Sequence, residues 1–125
     1  DLFDDLQCEA STVKEIADIF TKRSHHENLS VCLVLQNLFS AGKERITCFR
    51  SCHYLILFKN PLDQSVIHYI ARRLNPSKQK QITNLLFHIL DKHRYVMLDG
   101  KLDTPSKARY RSDIFGSIQR CFHLD

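Results

Sequence analysis

The feature that most constrains the fold is a short, unbroken apolar run, VCLVL, at residues 31–35. The run ends abruptly at two amide side chains, Gln36 and Asn37. A strand that is apolar on both faces is typical of a sheet covered by helices on both sides, most often a parallel one. In open parallel sheets, ligands bind just beyond the carboxyl ends of the strands. We therefore expect Gln36 and Asn37 to belong to a ligand site.

Similar apolar runs alternate with helical patterns along the rest of the chain. A capping box, Thr12 with Glu15, precedes an apolar stripe at helical spacing, which predicts a helix over residues 13–22. The pattern predicts further strands at residues 30–35, 46–49, 54–58 and 95–98, and further helices with stripes over residues 66–74 and 82–90. The order predicts an α/β fold with a mostly parallel sheet flanked by helices.

Composition excludes several classes of protein. The 125 residues suffice for one domain, which we take to be residues 1–125. Hydrophobic residues make up 43% and charged residues 26%, which is ordinary for a folded protein. No apolar run reaches the length of a membrane span, the first residues do not resemble a signal peptide, and the cysteine count of five is odd. These features predict an intracellular protein that is neither secreted nor membrane-bound.

An acidic pair near the start, Asp4 and Asp5 in LFDDL at residues 2–6, has the form of the end of a Walker B strand. In such a site the first carboxylate binds Mg²⁺ and the second orients or deprotonates the attacking water. A polar side chain at the end of the neighbouring strand, here Gln36 or Asn37 on strand 30–37, contacts the γ-phosphate as a sensor. The alternatives stay open: acids also favour helix N-termini, and amides also cap loops.

Basic residues between the apolar runs at residues 31–35 and 54–58 form another candidate group, Lys43, Arg45 and Arg50. One of these three is a candidate arginine finger that would stabilise transition-state charge in a neighbouring subunit. A solvated basic loop is the alternative. The tail, residues 101–125, is also basic, and Arg109 and Arg111 are its candidate nucleic-acid contacts.

Zinc is a weaker hypothesis. Cys48, Cys52 and His53 have the spacing Cys-x₃-Cys-His, and His25 and His26 are adjacent. No second ligand pair has finger spacing, and adjacent histidines do not easily point at one ion, so the pattern does not favour a zinc site.

The sequence contains no G-x-x-x-x-G-K-[ST] phosphate-binding loop, and its three glycines, Gly42, Gly100 and Gly116, lie in other settings. The chain alone therefore cannot cradle a triphosphate.

Eight blocks in a fixed order resemble the DNA-packaging ATPases of polinton (Maverick) elements and their viral relatives, in the FtsK–HerA superfamily of P-loop ATPases. The blocks are FDDL at residues 3–6, FTKRSHH at 20–26, NLSV at 28–31, QNLF at 36–39, HYLILFKNP at 53–61, IARR at 70–73, DTP at 103–105 and RSDIF at 111–115. The resemblance covers almost the whole chain and extends to the poxvirus packaging ATPase.

The resemblance implies that the chain is the C-terminal part of a RecA-like ATPase domain, whose Walker A half lies before Asp1. Its cofactors would be Mg²⁺ and ATP, with Asp4 on the metal, Asp5 as the catalytic acid, and Gln36 or Asn37 as the sensor. Arg45 matches a basic position between the sensor strand and the next strand and is the expected arginine finger. Its partners would be double-stranded DNA, other subunits of a homo-oligomeric ring, and capsid or portal components. Its location would be the nucleus or cytoplasm of a host cell, or the virion.

The resemblance thus predicts an ATP-driven motor that packages DNA, in which this part alone is inactive. The alternative is a truncated or domesticated module without catalysis, which binds nucleic acid or a protein partner.

Overall fold

The computed structural model describes residues 2–4, 15, 17–19, 22, 26, 30–34 and 42–124. The chain divides into two compact units, residues 1–52 and residues 53–125.

In the first unit, two short strands pair in parallel. β1 spans Leu2–Asp4 and β2 spans Cys32–Val34, with Leu2 opposite Cys32 and Asp4 opposite Val34. β2 lies inside the strand predicted at residues 30–35. Between them, Glu15, Ala17 and Asp18 are α-helical, as the capping box predicted.

Helix α1, Gly42–Ser51, completes the described part of the first unit and corrects one prediction. Residues 46–49 were expected to form a short strand, because Ile46, Thr47 and Phe49 favour β-structure. The helix runs through all of them, and Cys48 is buried within it. Four residues are too few for strand propensity to decide the conformation against a ten-residue helix.

In the second unit, four strands and two long helices form an α+β layer structure. The strands are β3 (Tyr54–Phe58), β4 (Tyr95–Asp99), β5 (Tyr110–Ser112) and β6 (Arg120–Phe122). The helices are α2 (Ser65–Leu74) and α3 (Gln79–Lys92), and short 3₁₀ helices cover Pro76–Lys78 and Ser106–Ala108.

The sheet of the second unit has the order β3-β4-β5-β6, and every neighbouring pair is antiparallel. This contradicts the predicted mostly parallel sheet and, with it, the RecA-like fold class. The reason lies in the connection between β3 and β4, which consists of two helices in succession. A single helix after a strand carries the chain back to the end at which that strand began, so the next strand runs parallel to it. A second helix carries the chain forward again, to the end at which the strand finished. β4 therefore runs against β3, with Tyr54 opposite Asp99.

The core of the second unit lies between one sheet face and the two helices. α2 contributes Ile67, Ile70 and Ala71, and α3 contributes Ile82, Leu86, Ile89 and Leu90. Their sheet-side partners are Leu57, Val96 and Leu98, all buried. Asn75 and Pro76 separate the two helices, as predicted, since proline cannot continue a helix.

The other face of β3 differs from the expectation of a strand buried on both sides. Tyr54, Ile56 and Phe58 are 45%, 43% and 68% exposed, while Leu57 on the opposite face is buried. A continuous apolar run therefore marks here an edge strand with one covered face. β4, the neighbouring strand, is the one buried over most of its length.

The packing of the core predicts how much stability is lost when a buried side chain of α3 is shortened. Leu86 is fully buried, so Leu86→Ala removes packing that its neighbours replace only in part, and we expect a loss of about 2–5 kcal/mol in the free energy of unfolding. Urea denaturation measures it. Leu102 is fully exposed, so Leu102→Ala is the matched control, with a change below about 0.5 kcal/mol. Equal losses in the two variants would contradict the assigned core.

Candidate functional site

The first candidate site lies at the end of the parallel pair β1–β2. Asp4 is the last residue of β1 and is opposite Val34, the last residue of β2. Because the strands are parallel and in register, the chain leaves both of them at the same edge. Three further site residues predicted from sequence, Asp5, Gln36 and Asn37, follow these strands in the sequence and lie outside the described residues.

The predicted arginine finger, Arg45, lies in helix α1 rather than in a loop or at a strand. Lys43 belongs to the same helix. Arg50 is exposed in its last turn, where a positive charge interacts favourably with the helix dipole. The basic group is thus part of a helix, which corrects its predicted setting.

The cysteines of the zinc hypothesis lie at the end of α1. Cys52 Sγ donates a hydrogen bond to the Phe49 carbonyl oxygen, 3.0 Å away. Burial raises the pKa of the Cys52 thiol; a backbone hydrogen bond opposes this, and the nearby Cys48 adds to it. Among the described residues, no group of three or more histidine, cysteine or acidic side chains could hold a metal ion.

The candidate nucleic-acid residues, Arg109 and Arg111, both bind within the second unit. Arg109 Nη1 donates to the carbonyl oxygens of Asp99 and Lys101, at 2.9 and 3.0 Å. Arg111 Nη2 forms an ion pair with Asp99 Oδ2, and Arg111 is only 20% exposed. Both guanidinium groups therefore hold the end of β4 to the loop and strand that follow it.

Asp99 is the buried centre of this group, at 4% exposure. Burial works to raise the pKa of its carboxyl group. Hydrogen bonds from the Lys101 backbone N–H (3.0 Å) and from Thr104, together with the charges of Arg111 and Lys101, outweigh the burial, and the pKa is lowered from its ordinary value. The carboxylate thus stays ionised and serves as an internal anchor.

A cavity that the sequence did not reveal lies where α2 passes into α3. Its volume is about 420 Å³. Its lining residues are His68, Pro76, Ser77, Gln79, Lys80, Thr83 and Asn84. Sequence reasoning placed a helix start at Ser77; the structure instead begins a 3₁₀ turn at Pro76, capped by the Asn75 side chain, which accepts a hydrogen bond from the Ser77 N–H. The sequence pattern that points to this cavity is the spacing of Lys80, Thr83 and Asn84, which places three polar side chains on one face of α3.

Comparison with known proteins adds no assignment. No family model, curated protein or solved structure matches this chain. None of the helices in the described parts of the chain is long and apolar enough to cross a membrane.

The lowered pKa of the Asp99 carboxyl group predicts that the stability of the fold depends on pH. Because this pKa is lower in the folded than in the unfolded chain, the carboxylate contributes its full stabilisation above the unfolded pKa of about 4. The stabilisation is lost as the pH falls through the pKa of the folded state. We expect Asp99→Asn to cost about 2 kcal/mol at pH 7, because hydrogen bonds to a charged group are lost, and to flatten the acid side of the stability curve. Urea denaturation from pH 3 to pH 7 measures both effects.

Asp103→Asn, in the same loop but on an exposed residue, is the matched control and should leave the curve nearly unchanged. If Asp99→Asn kept the wild-type acid limb, the assigned role of Asp99 would be wrong.

Proposed function

We propose that this chain is part of an ATP-driven motor that moves double-stranded DNA, in the manner of the packaging ATPases that its sequence blocks resemble. The observation that carries the proposal is the parallel, in-register pairing of β1 and β2. It places the strand that ends at Asp4, the first acid of the acidic pair, beside the strand that precedes the amide pair. This local arrangement is what a Walker B acid and a sensor require.

The proposal includes a magnesium ion. Carboxylate and amide oxygens are the hard ligands that Mg²⁺ prefers, and Asp4, the last residue of β1, carries such a carboxylate. Mg²⁺, when bound with ATP, neutralises phosphate charge. Asp4 would hold it directly or through water.

The remaining roles belong to the chain's own side chains. Asp5 accepts a proton from the attacking water, and Gln36 or Asn37 donates a hydrogen bond that orients this water or the γ-phosphate. Arg45, carried by α1, reaches the site of a neighbouring subunit and stabilises negative charge there. A phosphate-binding loop must come from outside these 125 residues, because the sequence has none.

The alternative, a non-catalytic module that binds nucleic acid through its basic tail, has less support. Arg109 and Arg111 are its predicted contacts, and their guanidinium groups are already bonded to Asp99 and Lys101. Contact with DNA phosphates would have to compete with these internal bonds.

The test is Asp5→Asn in a longer protein that carries the phosphate-binding loop. Loss of a positioned general base lowers turnover by at least about 100-fold, and nucleotide binding is retained because the amide is nearly isosteric with the acid. Steady-state phosphate release measures turnover, and a fluorescent ATP analogue measures binding. Glu9→Gln removes a negative charge four residues further along the sequence, outside the motif, and is the matched control. Unchanged turnover in Asp5→Asn, or equal losses in both variants, would overturn the assignment.

A further inference from the structure

We propose that the cavity between α2 and α3 is a binding site for a phosphate group. The proposal rests on the second unit alone and does not depend on the proposed ATPase site. Three successive parts of the chain meet at the cavity: α2 with His68, the 3₁₀ turn with Ser77, and the beginning of α3.

The strongest observation is a buried hydroxyl without a partner. Thr83 is 6% exposed and lines the cavity, and its Oγ1 has no hydrogen-bond partner among the described residues. A threonine inside a helix ordinarily bonds the carbonyl oxygen four residues back, which here is that of Gln79. Thr83 does not, although burying an unpaired hydroxyl is unfavourable. An occupant with hydrogen-bond acceptors would satisfy it.

The charge of the lining selects the occupant. None of the seven lining residues is acidic, and Lys80 places an ammonium group on the same face of α3 as Thr83 and Asn84. The cavity also lies at the beginning of α3, the positive end of the helix dipole, and the first turn of α3 has no acidic residue to neutralise it. These features favour an anion over a cation.

The donors are side chains rather than backbone groups. The Ser77 N–H is already bonded to Asn75 Oδ1, at 3.2 Å, and Ser77 Oγ donates to the same oxygen, at 2.7 Å. Lys80, the carboxamides of Gln79 and Asn84, and the Thr83 hydroxyl remain as donors in the lining. Four such donors suit a tetrahedral oxyanion, which offers several acceptor oxygens in different directions.

The volume accommodates more than one phosphate group, about 420 Å³. Both a free phosphate or monoester and the backbone of a nucleic acid supply this chemistry. The test therefore separates the two sources.

Titration of the 125-residue chain with inorganic phosphate, at constant ionic strength set with chloride, tests the site. Amide NMR signals of residues around Lys80 and Thr83 should shift saturably in wild type. Lys80→Ala should weaken phosphate affinity by about fivefold, since a charge-assisted hydrogen bond at a partly screened position is lost. Lys92→Ala removes the same charge at the far end of the same helix and should leave affinity unchanged.

Thr83→Val keeps the shape of the side chain and removes the hydroxyl. Without phosphate it should raise the melting temperature, because an unpaired buried hydroxyl is gone. With phosphate it should weaken binding severalfold. No saturable shift in wild type, or equal effects of Lys80→Ala and Lys92→Ala, would overturn the proposal.

A second titration, with a short DNA duplex in the presence of phosphate, identifies the source of the group. Displacement of phosphate from the same amides assigns the site to the nucleic-acid backbone. Phosphate binding that the duplex does not displace assigns it to a free phosphate or monoester. Both results presuppose that phosphate binds saturably in the first titration, which is the result that supports the site.

Discussion

Two consecutive helices between β3 and β4 decide the architecture of the second unit. The pair α2–α3 returns the chain to the end at which β3 finished, and β4 can therefore pair with β3 only in the antiparallel direction. The same helix pair covers one face of the sheet with Ile70, Leu86 and Ile89. Its turn at Asn75 and Pro76 also creates the cavity. Strand direction, core and cavity thus follow from one connection.

The antiparallel return sets the electrostatics at the end of β4. Asp99 lies at the last position of a buried strand, so its carboxylate needs compensation from nearby donors. Arg111 supplies it through an ion pair, together with hydrogen bonds from the Lys101 backbone N–H and from Thr104. Arg109 donates instead to the Asp99 backbone carbonyl oxygen. Two arginines of the basic tail are therefore engaged inside the second unit, Arg111 with the buried acid and Arg109 with backbone carbonyl oxygens. The number of lysines and arginines in a sequence therefore overestimates the charge at the surface, unless residues with internal partners are left out of the count.

The sequence predicted local elements well and their arrangement poorly. β3 was predicted with its observed bounds, β4 within one residue, and the proline-terminated helix α2 within one residue, because apolar period and helix breakers are local signals. Strand direction depends on how the connecting helices pack, which no local pattern contains. The run YLILF looked buried on both faces because Tyr54 and Phe58 are apolar, although they lie on the open face of an edge strand.

The two candidate sites also differ in how much of each could be predicted from the sequence. The strands that end at Asp4 and Val34 pair in parallel, while three of the site residues predicted to follow or end them, Asp5, Gln36 and Asn37, lie outside the described residues. The cavity residues escaped notice because Thr83 is informative only when its burial and its missing partner are known. An exposed threonine at the same position would satisfy its hydroxyl with water.

The antiparallel sheet and the residues of the proposed ATPase chemistry lie in different parts of the chain. A Walker B acid and a sensor need two neighbouring parallel strands whose ends lie at one edge, and β1 and β2 meet that condition within the first unit. The sheet of the second unit contributes none of these residues. Its antiparallel direction is what overturns the predicted fold class. The ATPase proposal therefore depends on Asp5 and on a phosphate-binding loop, whereas the second unit offers separate chemistry of its own, centred on Lys80 and Thr83.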